Sequence, residues 1–245
     1  MREDPVVVFE NVSKVYKMGE ISIAALKNIS LKIPNRRFSM VLGPSGSGKT
    51  TLLSILGCML SPTEGTVRVR GNSTAGLKSE QLAKLRRDHI GFVFQSYHLF
   101  PTLSALDNVR LTLDVRGEYS HRAAAKAGDA LAAVGLAHKL DSFPSELSGG
   151  EQQRVAIARA IVADAAAILA DEPTAALDAE NGQSIMAVLA DIAKNPQRGV
   201  LVVTHDPRTL PFASRIVSIE DGRIVGEEAG ARRRKNKASR EDKHE

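Results

Sequence analysis

Apolar and polar positions alternate through the first thirty residues, and β-branched side chains are dense there. Residues 6–16 and 21–33 therefore read as antiparallel strands. Further on, the pattern changes to short, mainly apolar runs at 38–42, 66–69, 90–94, 166–170 and 200–204, each of strand length. Helical patterns separate most of these runs, which predicts an α/β fold with a mainly parallel sheet flanked by helices. A Gly/Ser loop follows 38–42 and a helix begins near Lys49, giving a strand–loop–helix unit. Asp221-Gly222 stands between strand patterns at 215–220 and 223–225, a strong hairpin signal. From 97 to 164 strand patterns vanish, and 105–115, 121–134 and 149–162 read as helices. The expected organisation is one domain over 1–228. Its core comprises 1–96, with the antiparallel β-subdomain first, and 165–228. A helical subdomain over 97–164 is inserted between them, and a basic tail covers 229–245.

The 245 residues suit that plan, with 43% hydrophobic and 25% charged residues, near the average for globular domains. Aromatics are only 4%, without Trp, so the core must be aliphatic. The net charge of +5 is not a nucleic-acid footprint. Residues 231–245 hold seven Lys/Arg and three Asp/Glu, leaving about +1 for the rest. That tail reads as disordered and solvated. No apolar run is long enough to span a bilayer, and Met1-Arg2-Glu3-Asp4-Pro5 shows no signal-peptide pattern. The single Cys58 lies in an apolar stretch and reads as a buried, inert thiol. Together these features predict a cytoplasmic chain.

Three segments carry chemistry. Gly43-Pro44-Ser45-Gly46-Ser47-Gly48-Lys49-Thr50 matches G-x-x-x-x-G-K-[ST], the phosphate-binding P-loop, in the right strand–loop–helix context. Its glycines let backbone N–H groups turn toward phosphate oxygens, and the helix N-terminus adds positive potential. Lys49 is expected to reach the β- and γ-phosphates, and Thr50 to ligate Mg²⁺; Thr51 is grouped with them as nucleotide-binding. Asp171-Glu172 ends the apolar run 167–170, and ligands bind where strands of open α/β sheets end. Asp171 suits the Mg²⁺ shell, while Glu172 can polarise a water attacking the γ-phosphate. Leu147-Ser148-Gly149-Gly150-Glu151 opens the helix at 149–162. Ser148 and Glu151 have the spacing of a capping box. Two adjacent glycines cost helix stability, which favours close approach of that backbone to an anionic ligand.

In this order, the P-loop, Leu-Ser-Gly-Gly-Glu and Asp-Glu resemble the ATPase subunit of ABC transporters, a P-loop NTPase, over about residues 6 to 225. The resemblance implies an ATP- and Mg²⁺-dependent ATPase that drives a separate membrane permease from the inner face of the membrane. It implies that Tyr16 stacks on adenine, and that Gln95 senses Mg²⁺ and contacts the permease. Ala175-Ala176-Leu177-Asp178 is implied to cross a dimer interface, and His205 to touch the γ-phosphate. It also implies a head-to-tail homodimer, in which Ser148, Gly149, Gly150 and Glu151 of one copy cover nucleotide held by the other. Taken singly, Tyr16 could pack on the β-subdomain, Gln95 could be a solvated strand end, His205 could be structural and Asp178 could cap the next helix.

A narrower similarity, to the macrolide-exporter and lipoprotein-release branch, rests on the P-loop, on Asp171-Glu172-Pro173-Thr174-Ala175-Ala176-Leu177-Asp178, on His205-Asp206-Pro207 and on Phe212-Ala213-Ser214-Arg215-Ile216. It implies export or extraction of substrate from the membrane, with a periplasmic adaptor as a further partner. Asn35-Arg36-Arg37 replaces the branch's Gly-Glu turn, and Ala175 stands where Ser or Gly is frequent; neither removes a catalytic group. Two other functions stay open. A non-transport ABC protein acting on DNA or the ribosome usually carries a coiled-coil insertion or two cassettes, and this chain has one P-loop and no long heptad run. A regulator would signal through a permease-like protein without moving substrate.

Overall fold

The computed structural model describes residues 5–230; the N-terminal four residues and the tail at 231–245 lie outside them, as does the disorder expected of that tail. Two sheets form the frame. An antiparallel sheet has the order β2-β1-β4-β5, with β1 at Val7–Met18, β2 at Ile21–Ile33, β4 at Glu64–Val69 and β5 at Asn72–Ser73. A six-stranded sheet has the order β10-β9-β3-β8-β7-β6. Its strands are β3 (Phe38–Leu42), β6 (Ile90–Val93), β7 (Ala167–Asp171), β8 (Gly199–Thr204), β9 (Arg215–Glu220) and β10 (Arg223–Ala229). All neighbours in it are parallel except the β9–β10 hairpin.

The central strands are mostly apolar because both faces of the sheet are covered, as parallel sheets require. Period-two alternation sorts their side chains. Met40, Ile168, Ala170, Val200 and Val202 join one core with α3 (Ala105–Asp114), α4 (His121–Ala133), α5 (Gly149–Ile161) and α6 (Ala179–Ile192). Val41, Leu169, Leu201 and Val203 face the other core, shared with α1 (Lys49–Leu56) and the antiparallel sheet. Helix α5 lies directly on β6: a Cβ at Gly91 would come 2.1 Å from the carbonyl of Ala160, so only glycine permits that approach. Cys58 is buried, and desolvation lifts its thiol to about 11, an inert group.

Several boundaries differ from the sequence expectation. Strand β1 runs on to Met18, and β4 begins at Glu64 because Ser13 on β1 pairs with it. Strand β10 extends to Ala229, pairing with Arg215, so the first residue assigned to the tail is strand. Helix α2 (Ser79–His89) and the two-residue β5 had no separate expectation. None of the residues of α2 is fully buried; only the partly buried Leu82 and Leu85 pack against the core, a stripe too short to stand out in a mostly polar and charged segment.

Candidate functional site

Four parallel strands deliver the candidate residues to one edge. The register aligns Leu42 of β3 with Thr204 of β8, Val203 of β8 with Asp171 of β7, and Ala170 of β7 with Val93 of β6. Beyond these strand ends lie, in order across the sheet, the loop from Gly43, then His205, then Glu172, then the turn bearing Gln95. The C-terminal edge of such a sheet is where α/β proteins bind ligands.

The glycine-rich loop is fixed by backbone contacts. A Cβ on Gly43 would lie 2.2 Å from the Ile219 carbonyl oxygen, and one on Gly48 2.5 Å from that of Ala25. Gly46 and Gly48 have φ of 78° and 99°, open to glycine and strained for other residues. Around Gly46 nothing lies within 4 Å of such a Cβ, so that part of the backbone faces open space. Helix α1 starts at Gly48 without a side-chain cap, which leaves its first N–H groups free of competition from a capping oxygen. Lys49 is buried, and its Nζ donates to the carbonyls of Gly43 (2.8 Å) and Pro44 (2.9 Å), bending it over the loop. The hydroxyl of Ser47 is buried without a hydrogen-bond partner, an orphan that a ligand oxygen would satisfy. These features fit a polyphosphate. Thr50 is exposed in the first turn of α1, and Pro44 and Ser45 lie on the loop, both exposed.

Glu172 adopts φ 44°, a left-handed conformation that is unusual without glycine. Its amide donates to the Val203 carbonyl at 2.9 Å, and its side chain is turned back toward β8. There Thr204 Oγ1 donates to Oε2 (3.0 Å), and His205 Nδ1 lies 2.8 Å from Oε1. The structure thus joins Glu172 and His205, and adds Thr204, which sequence reasoning missed because a threonine closing a β-strand carries no signal of its own. Burial, and then repulsion from Glu172, raise the Asp171 carboxyl above its ordinary range, while Lys49 opposes that rise. A divalent cation would relieve the same strain. Among the described residues no group of three or more His, Cys, Asp or Glu converges for a metal. Thr50, Asp171 and Gln95 would therefore hold Mg²⁺ jointly with phosphate oxygens, as that ion favours.

Tyr16 is partly exposed on β1, and its hydroxyl reaches to 3.5 Å from Thr51 Oγ1 on α1, which sets an open aromatic ring beside the loop. Lys14, itself donating to the Ser61 carbonyl, lies 5.4 Å from the centre of that ring, a cation–π contact not expected from the sequence.

The second glycine-rich segment keeps separate neighbours. Ser148 caps α5: its Oγ accepts from the Glu151 amide (3.3 Å), and Glu151 Oε2 accepts from the Ser148 amide (2.8 Å), a complete capping box. That amide bond holds the Glu151 carboxyl below its usual range. A Cβ at Gly149 would meet the Tyr97 hydroxyl at 3.0 Å, and one at Gly150 would meet Asn181 Oδ1 at 2.9 Å. Asp178 caps α6, accepting from the Asn181 amide (2.8 Å) and side chain (2.7 Å), so within one chain its contacts are those of a helix cap.

The family model described as ABC transporter matches residues 26–175. The ABC transporter ATP-binding protein MJ0796 of Methanocaldococcus jannaschii is 44% identical over 226 residues, covering 91% of this chain and 96% of that protein. The macrolide export ATP-binding/permease protein MacB of Salmonella typhimurium is 46% identical over 215 residues, 88% of this chain. This chain spans about a third of the MacB relatives, 33% of that protein's length. Among solved structures, the dimeric post-hydrolysis state of the MJ0796 cassette bound to ADP and Pi superposes with a TM-score of 0.83 at 45% identity, covering 91% of this chain and 98% of that one. CbiO1 of Clostridium perfringens, part of the transporter complex CbiONQ, gives 0.82 at 28% identity, covering 93% and 89%.

Proposed function

The chain belongs to the ABC transporter family as one of its ATP-binding cassettes, and from that premise we propose that it hydrolyses ATP within a homodimer to drive a separate membrane permease. The observation that carries this reading is the shared sheet edge, where β3, β8, β7 and β6 end side by side. One strand end opens the phosphate loop, two supply Asp171, Glu172 and His205, and the last supplies Gln95.

In this reading the loop from Gly43 to Thr51 wraps the triphosphate with backbone N–H groups. The Lys49 ammonium exchanges the carbonyls of Gly43 and Pro44 for phosphate oxygens. Tyr16 offers its open ring face to the adenine. Mg²⁺ held by Thr50, Asp171 and Gln95 would neutralise phosphate charge. Glu172 takes the proton of the attacking water, with Thr204 and His205 fixing its carboxylate; His205 also faces the γ-phosphate. Ser148, Gly149, Gly150 and Glu151 cap the nucleotide held by a second copy, across an interface that includes Asp178. Two such sites form under twofold symmetry. The insert at 97–164 acts as a helical subdomain carrying the capping segment. No helix among the described residues is long and apolar enough to cross a membrane, which agrees with attachment through a permease. Export is the reading favoured by likeness to the MacB relatives, and a periplasmic adaptor is the further partner that the narrower branch resemblance implies.

Calorimetric titration with Mg²⁺·ATP, paired with phosphate release, tests the site. Tight binding in the parent and its loss in Lys49→Ala are expected; a Lys49→Ala chain turning over at the parental rate refutes the assignment. Affinity capture of the membrane subunit followed by substrate flux in vesicles tests the transport reading. A captured permease-like protein with ATP turnover but no flux would favour a regulator.

A further inference from the structure

The turn after Gln95 is held in a conformation its own residues disfavour. Tyr97 and His98 are consecutive non-glycine residues with φ of 60° and 50°, in the left-handed region that bulky side chains avoid. Both carbonyls point at one guanidinium. Arg159, near the far end of α5, donates to Tyr97 O at 2.7 Å and to His98 O at 2.5 Å. The same α5 meets Tyr97 a second time at its beginning, where the phenol oxygen lies 3.0 Å from the Cβ position of Gly149. Ten residues of α-helix separate these two points, roughly 15 Å at the standard rise. Tyr97 and the Arg159 side chain together bridge them, the guanidinium holding the Tyr97 carbonyl and the ring tip meeting the first turn of the helix. His98 is held as well, its ring 4.8 Å from that of Phe94, the residue before Gln95.

We propose that Arg159 is a positioning residue that couples the two halves of the nucleotide machinery within one chain: Gln95, facing its own phosphate loop, and the Ser148-Gly149-Gly150 backbone offered to the partner's nucleotide. This rests on the dimer reading above. The link is mechanical. A shift of the Gln95 turn moves the Tyr97 and His98 carbonyls, and the guanidinium conveys it to α5, whose first turn carries the capping glycines. The tip of Tyr97 braces that turn directly. A rigid helix gripped at both ends moves as a body, so nucleotide bound in one chain sets the placement of the segment it lends to the other.

The test uses the full chain in a Glu172→Gln background, where unhydrolysed ATP is expected to hold the dimer. Light scattering measures the ATP concentration at the dimerisation midpoint, and a fluorescent ATP analogue measures binding by the dilute monomer. Arg159→Met removes both donors and keeps an apolar side chain of similar length. Its monomer should bind nucleotide within about threefold of the parent, while the dimerisation midpoint rises by about tenfold, the scale of a typical coupling between sites. Arg159→Lys, able to reach a carbonyl with a single ammonium, should fall between. A purely structural role would lower the melting temperature and leave the midpoint of the folded protein where it was. If Arg159→Met does not fold, Tyr97→Gly serves: glycine adopts the left-handed turn freely, and only the brace against Gly149 is lost. It should raise the midpoint too. An unmoved midpoint in the folded variant overturns the proposal. A parent that forms no ATP-dependent dimer removes the dimer reading, and this inference with it. A parent that dimerises while the variants match it removes this inference alone.

Discussion

Replacing Glu172 by Gln separates chemistry from every other property of the site. The carboxylate is nearly enclosed, 14% exposed, against 66% for its partner His205. Its two oxygens have different duties: Oε2 accepts from Thr204 Oγ1, and Oε1 faces His205 Nδ1. A glutamine of the same length keeps a carbonyl oxygen for Thr204 and presents its NH₂ to His205 Nδ1, which accepts it in the tautomer that carries the ring proton on Nε2. The stability change should therefore stay within about 1 kcal/mol, the scale of a single hydrogen bond. Nucleotide affinity should remain within about threefold, because Lys49, Thr50 and Asp171 are untouched. What disappears is the proposed proton acceptor. General-base assistance is worth about 10²- to 10⁴-fold, or about 3 to 5 kcal/mol of barrier, and turnover should fall by that factor. The assay is phosphate release under saturating Mg²⁺·ATP beside equilibrium binding of the same preparation. A Glu172→Gln protein that binds normally and hydrolyses within about threefold of the parent, far short of that loss, would remove Glu172 as the base.

Three further outcomes are expected. Adding Ser148→Arg to Glu172→Gln should abolish the ATP-dependent dimer seen by light scattering, whereas Ser148→Ala, which sacrifices only a helix cap worth about 1 kcal/mol, should retain it. Tyr16→Ala should leave the melting temperature nearly unchanged and weaken ATP binding by about 1–3 kcal/mol, the range for base–aromatic stacking; an unaltered dissociation constant would place the adenine elsewhere. Asp171→Asn should raise the melting temperature at neutral pH while abolishing Mg²⁺-dependent turnover. The sign comes from its raised pKa: the folded state holds the proton more tightly than the unfolded chain, so the charged form penalises folding at neutral pH. That penalty fades as the pH falls through the raised folded value, so the advantage of the variant should vanish below about pH 4, the ordinary Asp range. A variant no more stable than the parent at pH 7 would contradict the assigned burial.

The strands are legible because burial on both faces writes itself as mainly apolar runs, and the run at 38–42 has the same bounds as β3. The three helices between β6 and β7 are legible within a residue at each end, since α3, α4 and α5 each bury an apolar stripe. Helix α2 fully buries no residue, and its two core-facing leucines, Leu82 and Leu85, are too few to read as a stripe. At the site, the phosphate loop and the capping box are local, fixed by glycines and by an S-x-x-E spacing within a few consecutive residues. The links among them are not local. The hydrogen bond from Thr204 to Glu172 joins residues 32 positions apart, and the grip of Arg159 on Tyr97 joins residues 62 apart. Nothing near Tyr97 and His98 announces a left-handed turn, because the group that enforces it arrives from another helix.

The phosphate loop is pinned to the antiparallel sheet and to the β9–β10 hairpin at one junction. Gly222 donates to the Ser47 carbonyl at 3.0 Å, Lys27 donates to the Gly222 carbonyl at 2.8 Å, and Gly48 and Gly222 both crowd the carbonyl of Ala25. The sheet that carries Tyr16 and the loop that carries Lys49 are thus a single solid piece, with little freedom to adjust their separation. For a ligand that engages both ends, the second contact is then intramolecular. Its strength is set by an effective concentration and not by the affinity of either fragment alone. On the proposed reading of Tyr16 and Lys49, adenosine and tripolyphosphate supplied as separate molecules would each forgo that advantage, and the covalent tether through the ribose would itself be part of what is recognised.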